Sequence, residues 1–90
     1  MKLTVIVPAY NGAKTLKRAV DSLLCQTMQD LEVIIINDGG KDDTAQIANQ
    51  YAERDPRVKV VHKAKNEGLS AGRNSGMAIA QGEYITFLDC

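Results

Sequence analysis

Neither sign of charge prevails in this 90-residue chain, in which 11 lysines and arginines face 11 aspartates and glutamates. Nothing draws the molecule as a whole toward nucleic acid or an anionic lipid surface, so an anion must be held by local groups. Cysteine is scarce as well. Cys25 and Cys90 are the only two, and neither has a partner at the spacing of a metal site or a disulfide framework, which points to a reducing, cytoplasmic setting. No apolar run approaches the roughly 20 residues of a membrane span, and Met1 to Val7 is too short for the core of a signal peptide. This segment is therefore expected to be soluble and to make no membrane contact. Two phosphate-binding signatures are missing: no GxGxxG follows the first apolar run and no GxxxxGK[ST] occurs anywhere, which argues against a Rossmann dehydrogenase and a P-loop enzyme. Val7-Pro8-Ala9-Tyr10 also lacks the acidic residues that a flavodoxin-like receiver would carry after its first strand.

What is present is an alternation of buried strands and amphipathic helices. Leu3 to Val7 (LTVIV) and Leu31 to Ile36 (LEVIII) show almost no polar alternation, the pattern of strands covered on both faces of a parallel sheet. Between them Leu16, Val20, Leu23 and Leu24 recur at helical spacing, which predicts a helix from Ala13 to about Cys25. A second helix is expected from an acidic cap at Asp42 or Asp43, burying Ile47, Ala48, Tyr51 and Ala52 and ending before Asp55-Pro56. Val58 to His62 (VKVVH) reads as a third strand, its lysine placing it toward a sheet edge. A third helix, roughly Leu69 to Ala80, is rich in small residues, so something packs closely against it. Gly82 is placed to end it in a left-handed conformation, and Tyr84 to Leu88 (YITFL) makes a fourth strand. The order βαβαβαβ implies one α/β unit, a Rossmann-like three-layer sandwich with a mostly parallel sheet of order 3-2-1-4.

That order places a crevice at the carboxyl ends of strands 1 and 4, where doubly wound sheets bind ligands. Polar and glycine-rich segments fall on this rim: Pro8-Ala9-Tyr10-Asn11-Gly12, Asn37-Asp38-Gly39-Gly40, the loop with Asn66-Glu67-Gly68, and Asp89. The opposite ends of the strands show no comparable concentration. Tyr10 offers a flat ring to a nucleobase and Asp38 an acceptor for a base or ribose. Gly39 and Gly40 let backbone approach a ligand, and Arg73 suits a phosphate or carboxylate. Asp89 suits a ribose or a hard divalent cation. Taken singly, the first two segments are ordinary turn chemistry, Arg73 is an ordinary helix-surface residue, and His62, the chain's one histidine, reads as a satisfied structural residue. Their convergence on one rim carries the argument.

Four stretches, VIVPAYNGAKTLKRAVDSLLCQT, EVIIINDGGKDDT, NEGLSAGRNSG and GEYITFLD, together resemble the amino-terminal half of family 2 inverting glycosyltransferases, which have the GT-A fold. The resemblance covers essentially the whole chain. It implies that a nucleotide-diphosphate sugar, most often a UDP-sugar, is the donor. Pro8, Ala9, Tyr10 and Asn11 would line the base pocket, Asp38 and Gly39 would meet the base, and Arg73 would lie near the nucleotide. Asp89 would be the first residue of a D-x-D motif for Mn2+ or Mg2+, with Cys90 as the middle residue. The sequence stops one position before the second aspartate of that motif, and the general base of such enzymes lies further on, so no catalytic residue is expected in residues 1–90 and metal binding is expected to be weak. Asn37, Gly40 and Gly72 stand where aspartate, serine and alanine are common in the family.

The resulting expectation is the donor-binding part of a glycosyltransferase, inactive alone, with the acceptor-binding half absent. A polysaccharide or cell-envelope pathway is implied, and in a full-length parent, membrane association. Apolar surface left uncovered would favour dimerisation. The competing expectation is a stand-alone module that binds nucleotide or protein without chemistry. A nucleotidyltransferase would need a glycine-rich basic signature after strand 1, for which Gly12-Ala13-Lys14 is too little.

Overall fold

Apolar residues on consecutive positions of two short runs settle the centre of the molecule. The computed structural model describes residues 3–9, 13–25, 30–37, 43–63 and 69–88, and of residues 69, 70, 72 and 73 only the backbone. Strand β1 (Leu3–Ala9) and strand β2 (Leu31–Asn37) lie side by side, and every residue from Thr4 to Ala9 and from Leu31 to Asn37 is buried. Both strands run further than the apolar stretches suggested. Pro8 and Ala9 stay in the ladder opposite Ile36 and Asn37.

Helix α1 (Ala13–Leu24) buries Leu16 and Val20, and helix α2 (Thr44–Arg54) buries Thr44, Ala48 and Tyr51. Asp43 is the residue before α2, as expected, but its side chain makes no capping hydrogen bond. Strand β3 (Val58–His62), helix α3 (Leu69–Ile79) and strand β4 (Tyr84–Phe87) complete the described elements. The sheet has the order β3-β2-β1-β4 with all neighbours parallel. β3 is thus an edge strand, as its lysine suggested, and β4 is the other edge.

Side chains alternate between the two faces of the sheet. On one face Val5, Val7, Val33, Ile35 and Val58 pack with Leu16, Val20, Ala48 and Tyr51 from α1 and α2. On the other, Ile6, Ile34 and Ile36 form a smaller core. α3 lies over this second face so closely that a β-carbon at Gly76 would stand 2.8 Å from Ile6 Cγ2. The small-residue character of α3 therefore has its cause in β1.

One expectation fails near β4. Gly82 does not have a left-handed backbone, and it lies beyond the end of α3 at Ile79. It is glycine because a β-carbon there would stand 2.6 Å from Thr4 Oγ1 and 2.7 Å from the Thr4 nitrogen. β4 itself is exposed along its whole length, in keeping with the uncovered apolar surface expected there. Tyr84, Ile85 and Phe87 join Met77 and Ile79 as the large apolar side chains left open to solvent among the described residues.

Candidate functional site

Three strands end in register on the carboxyl rim, where Ala9 pairs with Asn37 and Asn37 pairs with His62. Asn37 is the polar centre of this row. Its side-chain amide donates to His62 Nδ1 at 3.1 Å, and its carbonyl accepts the Lys63 amide at 2.8 Å. On its far side, His62 Nε2 lies 2.9 Å from Asn49 Oδ1 of α2. With Asn37 donating to Nδ1, the ring proton sits on Nε2 and is donated to Asn49. His62 is thus a satisfied structural residue, as its isolation in the sequence suggested.

Asn37 Oδ1 is buried and accepts no hydrogen bond among the described residues. Leaving such an acceptor dry costs about 1–3 kcal/mol, and it stands in the residue just before Asp38. The Asn37, His62 and Asn49 relay escaped the sequence reading as a unit. Its signal was present in the sequence: an asparagine and a histidine each close a strand on the same rim.

Of the residues expected to bind the donor, Pro8 and Ala9 are buried in the last two positions of β1. Arg73 lies in the second turn of α3, over the face of the sheet that carries Ile6, and only its backbone is described. Tyr10, Asn11, Asp38, Gly39 and Asp89 lie outside the described residues, as do Gly12, Gly40, Cys90 and the 64–68 loop. The strands that lead to them are described, and all four point to one rim. Among the described residues no three histidine, cysteine, aspartate or glutamate side chains come together as a metal site. The described residues alone do not fit a divalent cation, and its one sequence candidate remains Asp89.

A polar cluster also lies toward the opposite ends of the strands, where no concentration comparable to the rim was expected. Glu32, Thr4 and Lys59 occupy the second position of β2, β1 and β3 on one face of the sheet. Glu32 is completely buried. Its Oε1 accepts the Thr4 hydroxyl at 2.8 Å and the Gln81 amide at 2.9 Å, while Oε2 pairs with the Lys59 ammonium. The Gly82 amide in turn donates to Thr4 Oγ1 at 2.9 Å. Burial by itself pushes the Glu32 carboxyl up, but the Gln81 amide, Lys59 and Thr4 together hold it below the ordinary glutamate range. The carboxylate is charged, fully bonded and inaccessible, so it is a structural anion rather than a general base.

The chain matches the family described as glycosyl transferase family 2 over residues 4–90. It is 47% identical over 87 residues to EpsJ of Bacillus subtilis strain 168, an uncharacterized glycosyltransferase, covering 97% of this chain and 25% of that protein. To YibD of Escherichia coli strain K12, also an uncharacterized glycosyltransferase, it is 46% identical over 88 residues, covering 98% of this chain and 25% of that protein. Among solved structures, residues 1–349 of Staphylococcus aureus TarS in complex with UDP-GlcNAc superpose with a TM-score of 0.90 at 34% identity, over 99% of this chain and 26% of that one. The mannosyltransferase PcManGT of Pyrobaculum calidifontis, in complex with GDP-Man and Mn2+, gives 0.89 at 28% identity, over 98% of this chain and 27% of that one. The chain thus spans about a quarter of the length of these relatives. Motif order, sheet order and these likenesses agree, and the chain belongs to glycosyl transferase family 2.

Proposed function

We propose that residues 1–90 form the donor-binding portion of a glycosyltransferase that moves a sugar from a nucleoside-diphosphate sugar, UDP-linked in the first instance, to an acceptor hydroxyl. The observation that carries this reading is the superposition at a TM-score of 0.90, over 99% of the chain, on TarS in complex with UDP-GlcNAc. On this reading the nucleotide lies across the rim where β1, β2 and β4 end. Tyr10 stacks on the base, Asp38 accepts from it, Pro8, Ala9, Asn11 and Gly39 shape the pocket, and Arg73 stands near the nucleotide. Asp89 supplies one carboxylate toward a divalent cation, whose chemistry when bound is to neutralise the diphosphate leaving group. Inversion follows if the acceptor oxygen attacks the anomeric carbon opposite that leaving group. The base that deprotonates the acceptor belongs to polypeptide that the longer relatives possess beyond the aligned quarter, so these 90 residues alone give no turnover.

The test is a backbone amide NMR titration with UDP and with GDP, each with and without Mn2+. Shifts gathered at Tyr10, Asp38 and the 66–73 segment, larger with UDP, are the expected result. A folded spectrum that no nucleotide perturbs would overturn the reading. Weak Mn2+ dependence fits a single carboxylate at Asp89, whereas nucleotide binding with the same affinity in Asp89→Asn would favour a nucleotide-binding module that performs no chemistry.

A further inference from the structure

β4 poses a problem of register. A strand with one buried face is held in place because a slip of one residue turns its apolar side chains outward, but all four residues of β4 are exposed. Among the described residues its strand neighbour is β1, with Leu3 opposite Tyr84 and Ile6 opposite Phe87. A main-chain ladder is indifferent to sequence, so a slipped β4 would remake comparable backbone bonds. Leu88, just beyond the strand, packs half-buried against the core under α1 and α2 and favours the observed register from that end, so the question is what fixes the other end.

The choice is made where the chain enters β4. The Gln81 amide ends on Glu32 Oε1, and the Gly82 amide ends on Thr4 Oγ1, which itself donates to the same Glu32 oxygen. Lys59 holds the other carboxylate oxygen and reaches the Gln81 side chain at 3.4 Å. The space over Thr4 admits no β-carbon, since one at Gly82 would lie 2.6 Å from Oγ1, 2.7 Å from the Thr4 nitrogen and 2.9 Å from the Leu3 carbonyl carbon. A slip by one residue in either direction would bring Gln81 or Glu83 to that space and would strip the buried carboxylate of a donor.

We infer that Thr4 and Glu32 are positioning residues for the donor site: they lock the register of β4 at the amino end of the sheet and so fix where the strand delivers Asp89 on the opposite rim. A slip of one residue moves whatever follows β4 by about 3.3 Å and turns it to the other face of the sheet. The functional consequence rests on the proposed role of Asp89, whereas the lock itself does not.

The experiment compares the parent chain with Thr4→Val and Glu32→Gln, which keep side-chain volume, with Gly82→Ala, and with Thr4→Ser as the conservative control. The readouts are native-state amide exchange and cross-strand nuclear Overhauser contacts, neither of which requires nucleotide. The Leu88 amide, which donates to the Ile6 carbonyl at 2.9 Å, is expected to exchange at least about tenfold faster in the first three variants, while amides of the β1–β2 ladder change by about twofold or less. New contacts from Leu3 to Glu83 or Ile85 should accompany the loss of the Leu3–Tyr84 pair, and Thr4→Ser should behave as the parent. Equal acceleration in every strand, complete unfolding included, would overturn the inference, and so would parent-like protection and pairing in β4. Titrating the parent with UDP and Mn2+ separates the two readings: no binding defeats the proposed function and leaves the register result standing.

Discussion

The Tyr51 hydroxyl of α2 donates to Asp21 Oδ1 of α1 at 2.5 Å, joining two helices through residues 30 positions apart. The Lys17 carbonyl lies 3.2 Å from the Tyr51 hydroxyl oxygen. Burial, reinforced by the Asp21 carboxylate, pushes the phenol up from its ordinary 10.0 to about 12. A group held protonated in the folded state contributes stability that is complete below its unfolded value and is lost as pH rises toward the folded one. Urea denaturation should therefore show stability falling between pH 10.0 and about 12. Tyr51→Phe should cost about 1 kcal/mol at neutral pH and lose most of that alkaline decline. An unchanged decline in the variant would assign it to other groups.

Asp55 and Arg57 give the acid counterpart. The Arg57 guanidinium, 2.8 Å from Asp55 Oδ2, holds the Asp55 carboxyl below its ordinary range, and the Arg57 amide adds to the effect. Stability from a depressed carboxyl is present above the ordinary value of 3.8 and disappears as pH falls through the folded one. Asp55→Asn should cost about 0.5–1 kcal/mol at neutral pH, the range of a partly exposed pair, and progressively less as pH falls below 3.8. A constant difference across that range would show that the carboxylate charge is irrelevant.

Gly76→Ala tests how tightly α3 is seated. Alanine favours a helix over glycine by about 1 kcal/mol, yet its β-carbon would stand 2.8 Å and 2.9 Å from Ile6 Cγ2 and Cδ1. Overpacking of that kind costs about 1–3 kcal/mol, so a net loss is expected. Combining it with Ile6→Ala should cost less than the sum of the two single changes. Strict additivity would mean that the helix shifts freely over β1.

The apolar band of Met77, Ile79, Tyr84, Ile85 and Phe87, each at least 38% exposed, lies at β4, an edge strand of the sheet among the described residues. Such an edge is a template for association. Sedimentation of the 90-residue chain should show concentration-dependent self-association that Ile85→Lys with Phe87→Lys suppresses, in the presence of reductant. A monomer at all concentrations in the parent would refute this.

The fold was largely legible because its strongest signals are local. Consecutive apolar residues in LTVIV and LEVIII mark the central strands, and Leu16, Val20, Ala48 and Tyr51 mark the helix faces that cover them. What escaped notice lies inside those same runs. Thr4 and Glu32 interrupt them by one residue each, and the partners of Glu32 lie 27, 28 and 49 residues away. No spacing rule links such positions. A clue existed in their equal rank, second in each of three parallel strands. Gly82 was misread for a related reason: a glycine after a helix suggests backbone conformation, whereas here it answers to a side chain 78 residues earlier. At the rim, the direction of the strands and the row from Ala9 to His62 followed from the order of elements, while the roles of Tyr10, Asp38 and Asp89 rest on resemblance.

That separation of 78 residues between Gly82 and Thr4 also orders events during chain growth. β1, α1, β2, α2 and β3 can pair and collapse as soon as residue 62 is available, because their contacts close comparatively short loops. Among the described residues β4 pairs with β1 alone, and that pairing must wait until nearly the whole segment has been synthesised. By then Glu32 can already hold Thr4 and Lys59, and it gains the Gln81 amide when the last strand arrives. Loop closure thus makes β4 the last strand to join, and an error at Thr4 or Glu32 is expected to appear as a late misfolding event.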